Sequence, residues 1–409
     1  MGNPASPVTF SKFFAESQFE TQEERVAVGE RSRSVVIGIP KENHGLENRV
    51  SIVPNSIRTL IGFGHKVVVE SGAGDQSNFS DHNFSEAGAK ISHSKEEVFK
   101  SDIVVKIAPA TLEEIDLMHD DKVIISPLQL PTLEQEYFLR LKNKRITALA
   151  MEYLQSDDDS FPIVRIMSEL AGIVCIQTAA EYLNNTDGGR GVLLGGVSGV
   201  PPSKVVILGA GVVGEFATKA ALSLGASIRI FDNDISKLMR IQSSVGRQLH
   251  TSAINPVYLA YQLMSADVVI GAMHSTHGRT PIIVTEEMVS KMKEGAVIID
   301  VSIDQGGCIE TSEITTHKNP TFKKHGVIHY CVPNIASKVS RTASVAVSNI
   351  ITPLLIQAGK QINIEGLLYS KPGIRNGCYT YKGCSTNEYI SKRFGLKYTS
   401  LDLLLTSKL

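Results

Sequence analysis

No apolar stretch in the sequence reaches the ~18 residues that a membrane span needs. Neither sign of charge is in excess: 41 Lys and Arg against 42 Asp and Glu leave a net charge of −1. So even a balance argues against an electrostatic nucleic-acid binder. Cysteine is scarce, with five residues (Cys175, Cys308, Cys331, Cys378, Cys384), an odd count and no C-x-x-C pair. A disulfide framework and a structural zinc site are therefore not expected, and a reducing, cytoplasmic setting is. Tryptophan is absent, and residues 1–34 lack the continuous apolar core of a signal peptide. What is present is ordinary for a globular protein: 409 residues, 42% hydrophobic, with 33 glycines. At roughly 100–200 residues per domain, that length suggests two domains.

Residues 1–34 are polar with scattered phenylalanines (Phe10, Phe13, Phe14, Phe19) and read as an extension. From Val35 short β-branched runs alternate with helix-like segments. Strands are predicted at 35–39, 66–70, 102–107, 122–126 and 146–150. Thr132 and Gln135 have capping-box spacing before the helix-like LEQEYFLRLKNK. A long helix is expected from Met167 to Asn185, followed by the glycine-rich 188–199. A second alternation predicts strands at 204–208, 227–231, 267–271, 296–303 and 327–331. The tail holds one more long helix, roughly 340–358, and is too short to form its own α/β domain. The fold class is α/β, with two domains, each a mostly parallel sheet flanked by helices. The tail is expected to pack back on the first domain, making it discontinuous. The predicted division is 35–162 with 341–409 as a substrate domain, and 163–340 as an inserted Rossmann domain.

The run KVVILGAGVVGEF (204–216) places Gly209, Gly211 and Gly214 in a GxGxxG pattern between a strand and a helix. The first glycine permits the tight turn, the second lets backbone approach a pyrophosphate, and the third lets helix and strand pack closely. The helix N-terminus, with Val212 and Val213 in its first turn, offers free N–H groups to the anion. Asp232 ends the next strand, where a carboxylate accepts from a ribose 2′-OH and repels a 2′-phosphate. NAD is therefore the expected cofactor in preference to NADP, although Arg229 and Lys237 lie nearby.

Further motifs occur in order: GIPKE (38–42), ENRVSIVP (47–54), GHKVVVESGAG (64–74), MSELAG (167–172), GGRGVLLGGV (188–197), IDVSIDQGGC (299–308) and YCVPN (330–334). Together they resemble the alanine dehydrogenase/pyridine-nucleotide transhydrogenase family from about Val35 to Asn349. The alanine dehydrogenase branch is the nearer one, because the Arg-Gln-Asp loop of transhydrogenase subunits has no counterpart in NNTDGGRGVLLGG. The resemblance implies NAD-dependent interconversion of L-alanine with pyruvate and ammonia, and a homo-oligomer, hexamer or dimer. It places Arg49 at the carboxylate-binding position and Asp304 beside the nicotinamide and the substrate amine. Ser168, Val301, Asn334 and Ile335 fall on positions lining the NAD site, with Asn334 suited to the nicotinamide amide.

Two family residues are missing. The substrate-binding lysine falls on Ala108 and the catalytic histidine on Gln129, whose amide does not titrate. Lys106 shares a strand face with Ala108 and is a candidate to reach the pocket in its place. His44, His65, His274 and His277 are candidate replacement proton carriers. Loss of a general acid/base typically costs about 10²–10⁴-fold in rate. A nucleotide-binding homologue with a regulatory role and no dehydrogenase chemistry, and a transhydrogenase subunit, are the competing readings. No metal constellation stands out, although Glu152 and Asp304 are carboxylates expected near the cleft.

Overall fold

The computed structural model describes residues 34–42, 47–275, 278–360 and 364–406. The N-terminal extension as far as residue 33, His44 and His277 lie outside the described residues.

Two sheets organise the chain. The first contains β1 (Val36–Ile39), β2 (Lys66–Glu70), β3 (Lys90–Ser92), β4 (Ile103–Val105), β5 (Val123–Ser126) and β6 (Thr147–Ala150). The second contains β7 (Lys204–Leu208), β8 (Ser227–Phe231), β9 (His250–Ser252), β10 (Val268–Gly271), β11 (Val297–Asp300), β12 (Thr321–Lys324) and β13 (Val327–Tyr330). Two late strands, β14 (Cys378–Tyr381) and β15 (Cys384–Ser385), return to the first sheet. The orders are β3-β2-β1-β4-β5-β6-β14-β15 and β9-β8-β7-β10-β11-β13-β12. Each thus contains the doubly wound pattern whose order reverses beside its first strand, which opens a crevice at the carboxyl ends of the strands. Strands β1 to β6 pair in parallel, and β14 lies antiparallel to β6. In the second sheet only the β12–β13 pair is antiparallel.

The central strands are continuous β-branched runs because helices cover both faces. Every residue of β4, β5, β6, β10, β11 and β13 is buried. Burying each such Val or Ile stabilises the fold by about 1.5–3 kcal/mol. The edge strands β3, β9 and β12 escape the sequence pattern, because KIS, HTS and TFKK are short and carry no β-branched run. The run predicted as strand over 296–303 stops at Asp300. There the Asp300 carboxylate accepts from the Ser302 amide at 3.0 Å, and Val301–Gln305 curl into a 3-10 turn.

The box predicted at Thr132 and Gln135 does not form. Gln129 adopts a left-handed conformation (φ 44°, ψ 49°), and a 3-10 turn, Leu130–Thr132, follows it. Thr132 Oγ1 is spent on the Gln129 carbonyl at 2.9 Å, so the helix Gln135–Asn143 starts without a side-chain cap.

Three helices position the site: α1 (Pro162–Tyr182), α2 (Val212–Ser223) and α3 (Ser340–Lys360). Helix α1 begins five residues before the predicted Met167, with Pro162 in its first turn, where a missing N–H costs nothing. Its first turns pack Ile163 and Met167 into the core of the first sheet; Ala171 to Leu183 belong to the core of the second. Helix α3 returns to the first core through Val347, Ile351 and Leu355. By length and apolarity alone α1 and the stretch Ile335–Gly359, which includes all of α3 but its last residue, are long enough and apolar enough to cross a membrane. Here both run between the two cores. Gly172 allows α1 to cross α2 closely: a Cβ there would lie 2.5 Å from the Val213 carbonyl oxygen.

Candidate active site

Both sheets point their carboxyl ends at one cleft of about 670 Å³. From the first sheet, Arg49 follows β1, Ile107 follows β4, Pro127 and Gln129 follow β5, and Met151 and Glu152 follow β6. From the second, Gly211 to Val213 follow β7, His274 follows β10, Val301, Ser302, Asp304 and Gln305 follow β11, and Val332 and Asn334 follow β13. Ser168 of α1 and Ile335 complete the same wall. Local chemistry puts these residues there, because strands end where glycine turns and short 3-10 turns interrupt the β-branched runs.

The glycine turn is tightly constrained on its protein side. Gly209 has φ 108°, a left-handed value that disfavours any side chain, and a Cβ there would sit 2.3 Å from the Ala272 carbonyl oxygen. A Cβ on Gly214 would lie 1.9 Å from the Gly209 carbonyl oxygen. A Cβ on Gly211, by contrast, would meet nothing within 4 Å. Gly211 caps α2 with no side-chain hydrogen bond, so the first-turn amides of α2 keep their donors toward the cleft. A cradle closed behind and open in front, at a helix N-terminus, fits a dinucleotide pyrophosphate. Gly209 and Gly214 do not line the cleft; they shape the turn that presents Gly211.

Asp232 directly follows β8, is buried and does not itself line the cleft. Its Oδ2 accepts from the Ala210 amide at 2.7 Å and its Oδ1 from the Asp234 amide at 2.8 Å. The carboxylate thus ties the glycine turn to β8. Lys237 and Arg240 line the cleft, whereas Arg229 turns to Ser227 and the Ile228 carbonyl.

Arg49 is buried and locked by Glu47. Its Nε donates to Glu47 Oε1 at 2.7 Å and its Nη2 to Glu47 Oε2 at 2.6 Å. Arg49 Nη1 faces Met167 Sδ at 3.1 Å. Asn334 Nδ2 donates to Glu47 Oε2 at 2.8 Å, and Ser337 Oγ to Oε1 at 3.3 Å. Sequence reasoning assigns Asn334 to a nicotinamide amide and misses Glu47. The structure spends the Asn334 side-chain N–H on Glu47, in a left-handed backbone conformation (φ 60°, ψ 47°).

Asp304 stands on the turn after β11. Its side chain opens to the cleft, yet protein surrounds it on the other sides. That surrounding pushes its carboxyl up to about 6, against the Asn334 backbone and the Arg49 charge, which pull it down; Asp300 pushes it further up. Asp300, also missed by sequence reasoning, holds this turn from beneath. Its Oδ2 accepts from Ser312 Oγ at 2.7 Å and from the Cys308 amide at 3.1 Å, while Oδ1 holds Ser302. A signal for it exists in the sequence: an Asp at a strand end two residues before a serine is a local cap.

Lys106 does not reach the cleft, which corrects the expectation that it stands in for the missing lysine. It is buried, with its ammonium 2.8 Å from Glu42 and 3.4 Å from Glu114. Burial lowers the ammonium's proton affinity, but the two carboxylates outweigh that and hold its pKa above the usual lysine value. Glu42 Oε1 also accepts from the Ile107 amide at 2.6 Å. Among the candidate histidines, His274 lines the cleft. His65 does not: it is buried against Gly359 of α3. Gln129 lines the cleft, and its backbone N–H donates to Glu152 Oε1 at 3.2 Å. Among the described residues no cluster of His, Cys, Asp or Glu could hold a metal ion.

A nucleotide-shaped glycine turn facing an arginine–carboxylate cluster, between two doubly wound sheets, defines an α/β oxidoreductase of the dehydrogenase class. The alanine dehydrogenase/PNT N-terminal domain matches residues 38–171, and the alanine dehydrogenase/PNT C-terminal domain matches residues 175–388. Alanine dehydrogenase 2 of Staphylococcus aureus (strain USA300) is 38% identical over 367 residues, which cover 90% of this chain and 98% of that one. A solved L-alanine dehydrogenase superposes with a TM-score of 0.82 at 35% identity, covering 88% of this chain and 99% of its own. A transhydrogenase from Sinorhizobium meliloti shares the fold at 24% identity and a TM-score of 0.73, covering 87% and 99%. The chain belongs to the alanine dehydrogenase/PNT family.

Proposed function

We propose that the protein is an NAD(H)-dependent amino-acid dehydrogenase that interconverts L-alanine, or a closely related small amino acid, with its 2-oxo acid and ammonia. The observation that carries this reading is the single cleft on which Arg49, Asp304 and the Gly211 cradle converge. A bound NAD supplies the hydride acceptor, and NADH the donor, for the substrate α-carbon. The chain's own groups do the rest. The first-turn amides of α2 hold the pyrophosphate over Gly211. Asp232, behind the turn, sets a carboxylate where a 2′-phosphate would be repelled. Ser168, Val301, Asn334 and Ile335 flank the nicotinamide end.

Arg49 presents its guanidinium to the substrate carboxylate, oriented by Glu47, which fixes the planar fork through two charge-assisted bonds. Asp304 receives the substrate amine. With its carboxyl near 6, it holds a proton readily at mildly acidic pH and releases it at neutral pH, a range suited to a group beside an amine that must shed one. Within this reading the segments 35–162 and 341–409 form the substrate unit and 163–340 the nucleotide unit, and the assembly is a homo-oligomer.

The experiment is an NADH fluorescence titration followed by NADH oxidation with pyruvate and other small 2-oxo acids, with and without ammonia. Turnover that requires both the 2-oxo acid and ammonia supports the reading. Tight NADH binding without turnover on any substrate would reject it.

A further inference from the structure

The family's proton-carrying histidine is replaced by Gln129, and Lys106 is occupied elsewhere. The cleft nevertheless contains a carboxylate that the proposed mechanism does not use. Glu152 follows β6, lines the cleft and is half-buried. Its Oε1 accepts from the Leu128 amide at 2.8 Å and from the Gln129 amide at 3.2 Å. Its Oε2 has only a 3.1 Å contact with the same Leu128 amide. Among the described residues no lysine, arginine or histidine pairs with it. The titratable groups facing it are the phenols of Tyr137, Tyr153 and Tyr379. Burial pushes all three phenols up, so they stay neutral at physiological pH.

A half-buried carboxylate without a counter-ion is costly and calls for a use. Its position fits one. Two backbone amides fix Oε1, and those amides belong to the loop that carries residue 129, the place of the missing imidazole. Oε2 is the less occupied oxygen. Burial raises the Glu152 carboxyl above the usual carboxylate range, while the Leu128 and Gln129 amides pull it partly back.

We propose that Glu152 is the proton carrier of this enzyme, taking through Oε2 the part that the absent histidine leaves open. The inference rests on the dehydrogenase reading above. In the direction of amine formation, ammonia adds to the carbonyl carbon and gives a carbinolamine. Glu152 Oε2–H gives its proton to the carbinolamine oxygen. The C–O bond breaks, water leaves, and the nitrogen lone pair forms the C=N bond of the iminium. In the reverse direction water bonds to the iminium carbon and Glu152 takes the proton that water sheds. Arg49 and Asp304 keep their places at the carboxylate and the amine.

The test uses the full-length protein and three variants: Glu152→Gln, Gln129→His and the double variant. NADH binding is titrated for each, and kcat and KM for the 2-oxo acid are measured across pH with ammonia in excess. Glu152→Gln is expected to bind NADH as the parent does and to lose about 10²–10⁴-fold in kcat, together with the carboxylate limb of its pH profile. The double variant is expected to regain turnover with a limb moved toward the imidazole range. If Glu152→Gln keeps the parent's kcat and pH profile, the assignment fails while the dehydrogenase reading stands. A loss carried in KM or NADH binding, and not relieved by Gln129→His, makes Glu152 a brace for the 128–129 loop and also overturns it. A parent that turns over nothing overturns both.

Discussion

Glu47 and Arg49 face each other across one intervening residue, and the carboxylate takes two guanidinium donors at 2.6 and 2.7 Å. The pair is buried, and Asn334 and Ser337 complete the hydrogen bonding of its acid. Such a pair orients more than it stabilises. Arg49→Lys keeps the charge and loses the fork. It is expected to raise KM for the 2-oxo acid about ten- to hundredfold, in line with the roughly 1.5–3 kcal/mol of a hydrogen bond to a charged group. Steady-state kinetics at saturating NADH and ammonia check this.

Gly211 and Gly214 separate binding from folding. Gly211→Ala places its methyl in open space at φ −71°, so the melting temperature should hold while NADH binding weakens. Gly214→Ala drives a Cβ onto the Gly209 carbonyl oxygen and is expected to destabilise the protein by about 1–3 kcal/mol or more. Paired thermal melts and NADH titrations distinguish the two.

Asp304 makes stability depend on pH in an unusual direction for a carboxylate. Its folded-state carboxyl lies near 6, above the ordinary 3.8. The native state therefore binds the proton more tightly than the unfolded chain does, and Asp304 contributes stability that is fully present below about pH 4 and lost as the pH rises through 6. Asp304→Asn, which mimics the protonated acid, should raise the melting temperature relative to the parent above pH 6. The difference should vanish below pH 4, and turnover should be lost throughout. Melting curves from about pH 3.5 to 8 read the sign.

Lys106 lies in a buried charge cluster with Glu42 and Glu114, away from the cleft. Lys106→Met leaves Glu42 buried without its ammonium and is expected to cost about 3–5 kcal/mol. In buffer that keeps the variant folded, its NADH affinity should equal the parent's. Denaturant unfolding and NADH titration measure the two effects separately.

Much of this architecture is legible in the sequence because parallel strands buried on both faces announce themselves as unbroken runs such as VVIGI, KVVIL and AVIID. The glycine turn is legible for a steric reason: Gly209 and Gly214 have carbonyl oxygens where a side chain would begin. Contacts that depend on distant chain segments are not legible. Glu47 gains Asn334 as a partner from 287 positions away, and Glu152 meets Leu128 across adjacent strands. Period-two reasoning places Lys106 and Ala108 on one face of a strand. It does not foresee that β4 ends at Val105, so that Lys106 bends instead toward Glu42 on the loop after β1. Thr132 and Gln135 have the spacing of a cap, but the left-handed Gln129 turns the chain and consumes the hydroxyl.

Strand β6 is flanked on its outer side by β14, and Ala150 donates its amide to the Gly377 carbonyl at 2.7 Å. More than two hundred residues separate those partners, and the entire second sheet is made between them. On the ribosome, therefore, the second sheet has all its strands before the first sheet can close its open edge. Until residues 378–385 emerge, β6 exposes a row of unpaired amides and carbonyls that invites wrong neighbours. Synthesis that stalls in this last stretch leaves a chain with every strand of the second sheet made and the first sheet still open at β6 and prone to aggregate.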